Sequence, residues 1–100
     1  MTKLETAFTL DLIANLKAAA ALTGVEEARL LSNAEKEGGV KAVKMMLSKG
    51  QVHRQFQPLK EKGRLDLSPE ALVCKGKYSS LFTDEEANIC LNALLEAGAF

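Results

Sequence analysis

The sequence predicts an all-α fold, a compact single domain over residues 1–100 built from five or six short helices. Three observations predict it. Apolar residues recur at intervals of three and four along most of the chain, the period of a helix with one buried face. Capping-box and Ser-Pro-Glu starts alternate with glycine stops at helical spacing. The one stretch of strict alternation, Arg64 to Leu67, has four residues, too few for a sheet strand.

Taken in order, Thr2-Lys3-Leu4-Glu5 has the capping-box form, in which hydroxyl and carboxylate satisfy orphan amides reciprocally. Leu4, Phe8, Leu12 and Leu16 follow at intervals of four and continue to Ala19 and Ala20, and Gly24 stops this first helix. Thr23-Gly24-Val25-Glu26 repeats the capping-box pattern. It predicts a second helix with Val25, Ala28, Leu31 and Ala34 inward, ended by Gly38-Gly39. A third helix from Val40 to Ser48 turns Val40, Val43, Met46 and Leu47 inward and stops at Gly50. Pro58 lacks an amide hydrogen and belongs in a first turn, so a short helix starting near Gln55 is expected, anchored by Phe56 and Leu59 and capped by Gly63.

Leu65 and Leu67 then read as two buried leucines on an extended linker. Ser68-Pro69-Glu70 starts a short helix that ends before Gly76, with a hydroxyl N-cap, proline at the first position and an acid at the positive end of the dipole. Tyr78, Ser79 and Ser80 read as a loop whose hydroxyls cap or face water. The clearest start follows: Thr83 and Glu86 form a capping box, Phe82 staples onto Ala87, and Asp84, Glu85 and Glu86 cover the first turn. The last helix carries Ile89, Cys90, Ala93 and Leu94 inward and stops at Gly98.

Length and composition agree with one core. A chain of 10.8 kDa exposes roughly 5,500 Å² when folded against about 15,700 Å² extended, so it buries enough surface without disulfides or metal. Zero net charge and 47% hydrophobic residues exclude intrinsic disorder. No apolar run approaches the ~20 residues of a membrane span. Leu10 to Leu22 ends in an alanine cluster like a cleavage region, but Asp11, Asn15 and Lys17 interrupt it, so no signal peptide is expected. Cys74 and Cys90 match no metal spacing and read as buried free thiols of a cytoplasmic protein.

Neutrality hides a polar distribution. Residues 1–40 carry 4 basic and 6 acidic side chains, residues 41–80 carry 9 and 3, and residues 81–100 carry none and 4. The basic centre is either an electropositive face for phosphate or a set of solvated helix faces partly neutralised by the acidic last helix. The second reading is preferred. Lysine dominates the cluster, and no aromatics are interleaved to stack bases. Two short helices around Gly50 or Gly76 have helix-turn-helix spacing, but neither offers a recognition helix rich in Arg, Asn or Gln.

Catalytic signals are weak. There is no P-loop, no G-x-G-x-x-G, no HExxH and no zinc-spaced Cys/His set. His53 is the single histidine and would have to meet Cys74 or Cys90 for nucleophilic chemistry, whereas both cysteines sit at core positions of helices. No enzyme activity, metal or cofactor is expected.

One stretch has a recognisable form. Gly63-Arg64-Leu65-Asp66-Leu67-Ser68-Pro69-Glu70-Ala71-Leu72-Val73, followed by Leu81-Phe82-Thr83-Asp84-Glu85-Glu86, resembles a pattern in small bacterial proteins of no assigned function, G-x-L-x-L-[TS]-x-E-x-L-V, a short spacer, then L-F-[ST]-x-E-E and a closing helix. The resemblance covers roughly the C-terminal half, with Gly38-Gly39 and the helix after it. It implies a bacterial or mobile-element source and nothing catalytic. The chain departs from the pattern at Lys60, Glu61 and Lys62, where apolar or aromatic residues are usual. Physically the motif is a device of the fold, with only Arg64 and Asp66 left to pair locally or face a partner.

Two functions are therefore expected from different classes. The first is a non-catalytic cytoplasmic interaction module that binds a protein partner or forms a homodimer. Leu10 and Ile13 lie off the first helix's stripe, and the alanines at 18–21 permit close helix approach. The alternative is nucleic-acid binding by the central basic segment 41–64 through Lys44, Arg54, Lys60, Lys62 and Arg64.

Overall fold

The computed structural model describes residues 2–49 and 54–98. Its elements are α1 (Lys3–Thr23), α2 (Ala28–Glu37), α3 (Gly39–Ser48), α4 (Phe56–Glu61), a 3-10 turn (Leu65–Leu67), α5 (Pro69–Val73), a 3-10 helix (Gly76–Leu81) and α6 (Asp84–Glu96). Among the described residues there is no strand, and seven helices have five or more residues, one above the expected number. The surplus is Gly76–Leu81, read from sequence as a loop. His53 and the expected stop at Gly50 lie outside the described residues.

α1 is long rather than short. Its alanine-rich interior loses little side-chain entropy on forming a helix, and 21 residues at 1.5 Å each span about 32 Å, close to the molecule's longest extent of 34 Å. Thr2 and Glu5 form the expected capping box, with both bonds at 3.1 Å. Phe8, Leu12, Leu16 and Ala19 are buried. Around this helix pack α2, α3, α4, α5 and both 3-10 segments.

The second helix departs from expectation at its start. Thr23 stays in the last turn of α1, where its hydroxyl donates to the Ala19 carbonyl at 2.7 Å and accepts from the Val25 amide at 3.2 Å. No capping box forms, α2 begins at Ala28, and Glu27 stands at its N-cap without a side-chain cap bond. The buried face is consequently Leu30 and Ala34, with Leu31 half-buried, Ala28 exposed and Val25 outside the helix. Gly38 ends α2 as expected, at φ +91°, which few other residues adopt. The next glycine serves a close approach. A Cβ on Gly39 would lie 2.9 Å from the Thr9 Cα, and the Gly39 amide donates to the Thr9 hydroxyl at 2.8 Å.

Val40, Val43, Met46 and Leu47 of α3 are buried as expected. Pro58 falls in the first turn of α4, Leu59 is fully buried and Phe56 half-buried. The presumed extended linker is a 3-10 turn instead, burying Leu65 and leaving Leu67 half-buried. Ser68 caps α5, its hydroxyl accepting from the Ala71 amide at 3.2 Å while donating to the Leu65 carbonyl at 2.6 Å. Thr83 and Glu86 cap α6 as read, at 2.8 and 3.1 Å. Cys90 and Leu94 face inward, but Ile89 does not; it is 43% exposed. One position off the Cys90–Leu94 row turns it to the flank of the helix.

The core has two parts. Phe8, Leu12, Val43, Leu72, Tyr78, Phe82 and Cys90 belong to the larger, and Ala19, Leu59, Leu65 and Leu94 form the smaller; half-buried Cys74 packs against both. The radius of gyration, 12.3 Å, is that of a compact domain of this length, about 13 Å.

Candidate functional site

The structure gives the five basic candidates separate roles. Lys44, on α3, places its ammonium 2.7 Å from Glu86 Oε1 and 5.4 Å above the Phe82 ring. Burial works against the Glu86 charge, but Lys44 and the Thr83 amide outweigh it and hold the carboxyl below its usual range. The acidic last helix thus folds back on part of the basic segment. Arg54 borders a cleft of about 1160 Å³ between the start of α2 and the end of α3, with Glu26, Glu27, Arg29 and Lys49. Lys60, Lys62 and Arg64 are exposed at the end of α4 and in the turn after it. Arg64 grips Asp66 with two bonds, 3.0 Å from Nε and 3.3 Å from Nη2, so the pair left open by the sequence is a local one. The Arg64 guanidinium holds the Asp66 carboxyl below the ordinary carboxylate range.

The thiols are both free. Burial pushes Cys90 up to about 12 and raises Cys74 as well. A thiol kept protonated is a poor nucleophile, and Cys74 Sγ lies 4.0 Å from the Ala87 carbonyl, a helix-packing contact. Among the described residues no group of three His, Cys, Asp or Glu side chains is placed to hold a metal ion.

Two polar residues organise the interior in ways the sequence reading did not give. Tyr78 is 1% exposed, not a loop hydroxyl facing water. Its ring stands edge-on to Phe8 at 5.1 Å, and its hydroxyl donates to Asp11 Oδ2. Lys77 approaches the same carboxylate oxygen at 3.5 Å and lies 5.0 Å above the Tyr78 ring. Gln55 is fully buried. Its amide donates to Glu27 at 3.0 Å, and its side-chain nitrogen donates to the carbonyls of Leu16 at 3.2 Å and Val25 at 2.8 Å. Nothing in the local pattern marks a glutamine as a crosspiece between segments 28 to 39 residues apart.

Two apolar features of the remaining surface bear on binding. Leu10 on α1 is 63% exposed, while Ile13 is half-buried against the core, so half of the apolar surplus expected on α1 faces outward. A smaller cleft, about 510 Å³, opens between the α4–α5 connection, α5 and the end of α6. Leu65, Ala71, Cys74 and Leu94 line it, and exposed Lys60 and Lys75 border it.

No family model, curated protein or solved structure matches the chain. Among the described residues, no helix is long and apolar enough to cross a membrane.

Proposed function

We propose that this chain is a non-catalytic protein-interaction module that pairs with a second copy through the outward face of α1. The observation that carries it is the exposure of Leu10 within a row of exposed small residues, Ala7, Ala14, Ala18 and Ala21. Ala7, Leu10, Ala14, Lys17 and Ala21 repeat at alternating intervals of three and four, the spacing of a helix–helix seam. Alanines let two helix axes approach to about 8 Å. In an antiparallel pair each Leu10 would settle on the other copy's alanines, an isologous large-on-small contact, with Lys17 reaching out at the rim. A cytoplasmic setting fits the two free thiols, and the bacterial source implied by the C-terminal motif belongs to the same proposal.

Sedimentation equilibrium tests it. The wild-type chain is expected to pass from monomer to dimer between micromolar and millimolar concentration. Leu10→Lys should remain monomeric with an unchanged helical spectrum. A wild-type monomer over the whole range rejects the reading. The nucleic-acid alternative has less support, because Lys44 and Arg64 are engaged within the molecule. It would be favoured instead by DNA or RNA binding that collapses between ~50 and ~200 mM salt.

A further inference from the structure

We propose that the cleft between α5, the end of α6 and the α4–α5 connection docks an acidic amphipathic segment of a protein partner. The apolar surface does not stop at the cleft. Gly98, just past the end of α6, lines it, and Leu95 and Leu91 lie about one and two turns back along α6, since positions three and seven apart share a helix face. They are 52% and 39% exposed. A floor of leucine, alanine and cysteine thereby adjoins an open leucine ridge that follows α6 for about two turns. An amphipathic helix lays its apolar face in such a groove.

Charge chooses the sign of the occupant. Lys60 and Lys75 form no ion pair with a described residue. Lys75 acts on Asp66 and Asp11 only at longer range. Among the described residues that line the cleft, Asp66 is the one carboxylate, and Arg64 already neutralises it. An incoming carboxylate beside the apolar anchor therefore meets two ammonium groups and, among the described lining residues, no unpaired carboxylate. A basic segment would meet like charge at the same rim, which suppresses the wrong partner.

The test uses the full chain and two fluorescein-labelled amphipathic peptides with the same leucine face, one flanked by glutamates and the other by lysines. The glutamate peptide should bind about tenfold or more tightly than its lysine twin, and lose affinity as salt rises. Lys60→Glu with Lys75→Glu should invert that preference, and Leu95→Glu should weaken the glutamate peptide about tenfold or more. Leu95 and both lysines are exposed, so these variants keep the fold, which circular dichroism checks. Equal affinity for the two peptides, no binding of the glutamate peptide, or undiminished binding to Leu95→Glu overturns the proposal. Self-association through α1 is read without peptide and in a different variant, so either proposal can fail while the other stands.

Discussion

Tyr78 is the only tyrosine in a chain without tryptophan, so its titration can be followed by absorbance at a single site. Burial first, then the bond to Asp11, pushes its hydroxyl up to about 12. The same bond, reinforced by Lys77, outweighs burial and holds the Asp11 carboxyl below its usual value. The signs define two windows. Tyr78 favours the folded state fully below the unfolded tyrosine value of ~10, and loses that contribution as pH rises through about 12. Asp11 contributes fully above ~3.9, and its contribution is lost as pH falls through its lowered folded value. Tyrosinate absorbance of the folded chain should have its midpoint near 12. In Asp11→Asn the midpoint should fall but stay above ~10, because burial remains. An unmoved midpoint would mean that the bond contributes nothing. Gly39 is legible at the same scale only as half of a Gly-Gly stop. That it lies against the Thr9 backbone of α1 depends on a contact 30 residues away in the chain.

Capping signals belong to the scale of the element, and three similar patterns had different outcomes. Thr2 and Thr83 both cap, with their box partners Glu5 and Glu86 in place. Thr23 carries the same pattern and caps nothing. The helix before it continues to Gly24, and Gln55 holds the carbonyl of Val25 while Glu27 holds the amide of Gln55. Residues 25–27 are thereby kept out of helix until Ala28. Thr83→Ala should cost about 1 kcal/mol of stability, and Thr23→Ala distinctly less, in urea unfolding. Equal costs would show that Thr23 contributes as much from the end of α1 as a true cap does. The inward residues Val40, Val43, Met46 and Leu47 of α3 were legible because they recur at helical spacing along one face. Ile89 was not, because a flanking position is buried or exposed according to what packs beside it.

At the scale of the whole molecule the C-terminal motif reads as a joint in the core. Phe82 is 8% exposed, packs 5.1 Å from Phe8 of α1 and lies under Lys44 of α3, so three distant segments meet on it. Leu67, two residues past Leu65 in the 3-10 turn, is only half-buried. Phe82→Ala should therefore cost about 3–5 kcal/mol and Leu67→Ala roughly half as much or less. The opposite ranking in denaturant unfolding would move the weight of the motif onto the turn. Helix class, the α3 to α6 starts at or within a residue of their expected places, and most of the core were readable from the sequence alone. Periodicity, caps and glycine stops act within a few residues, and the chain states them directly. The buried roles of Tyr78 and Gln55, the pairing of Lys44 with Glu86, the dispersal of the basic residues and the cleft beside α6 were decided by the tertiary structure. The Tyr78, Gln55 and Lys44 contacts join groups 28 to 67 residues apart that meet only when the helices pack, and no local pattern encodes which distant surface a side chain will face.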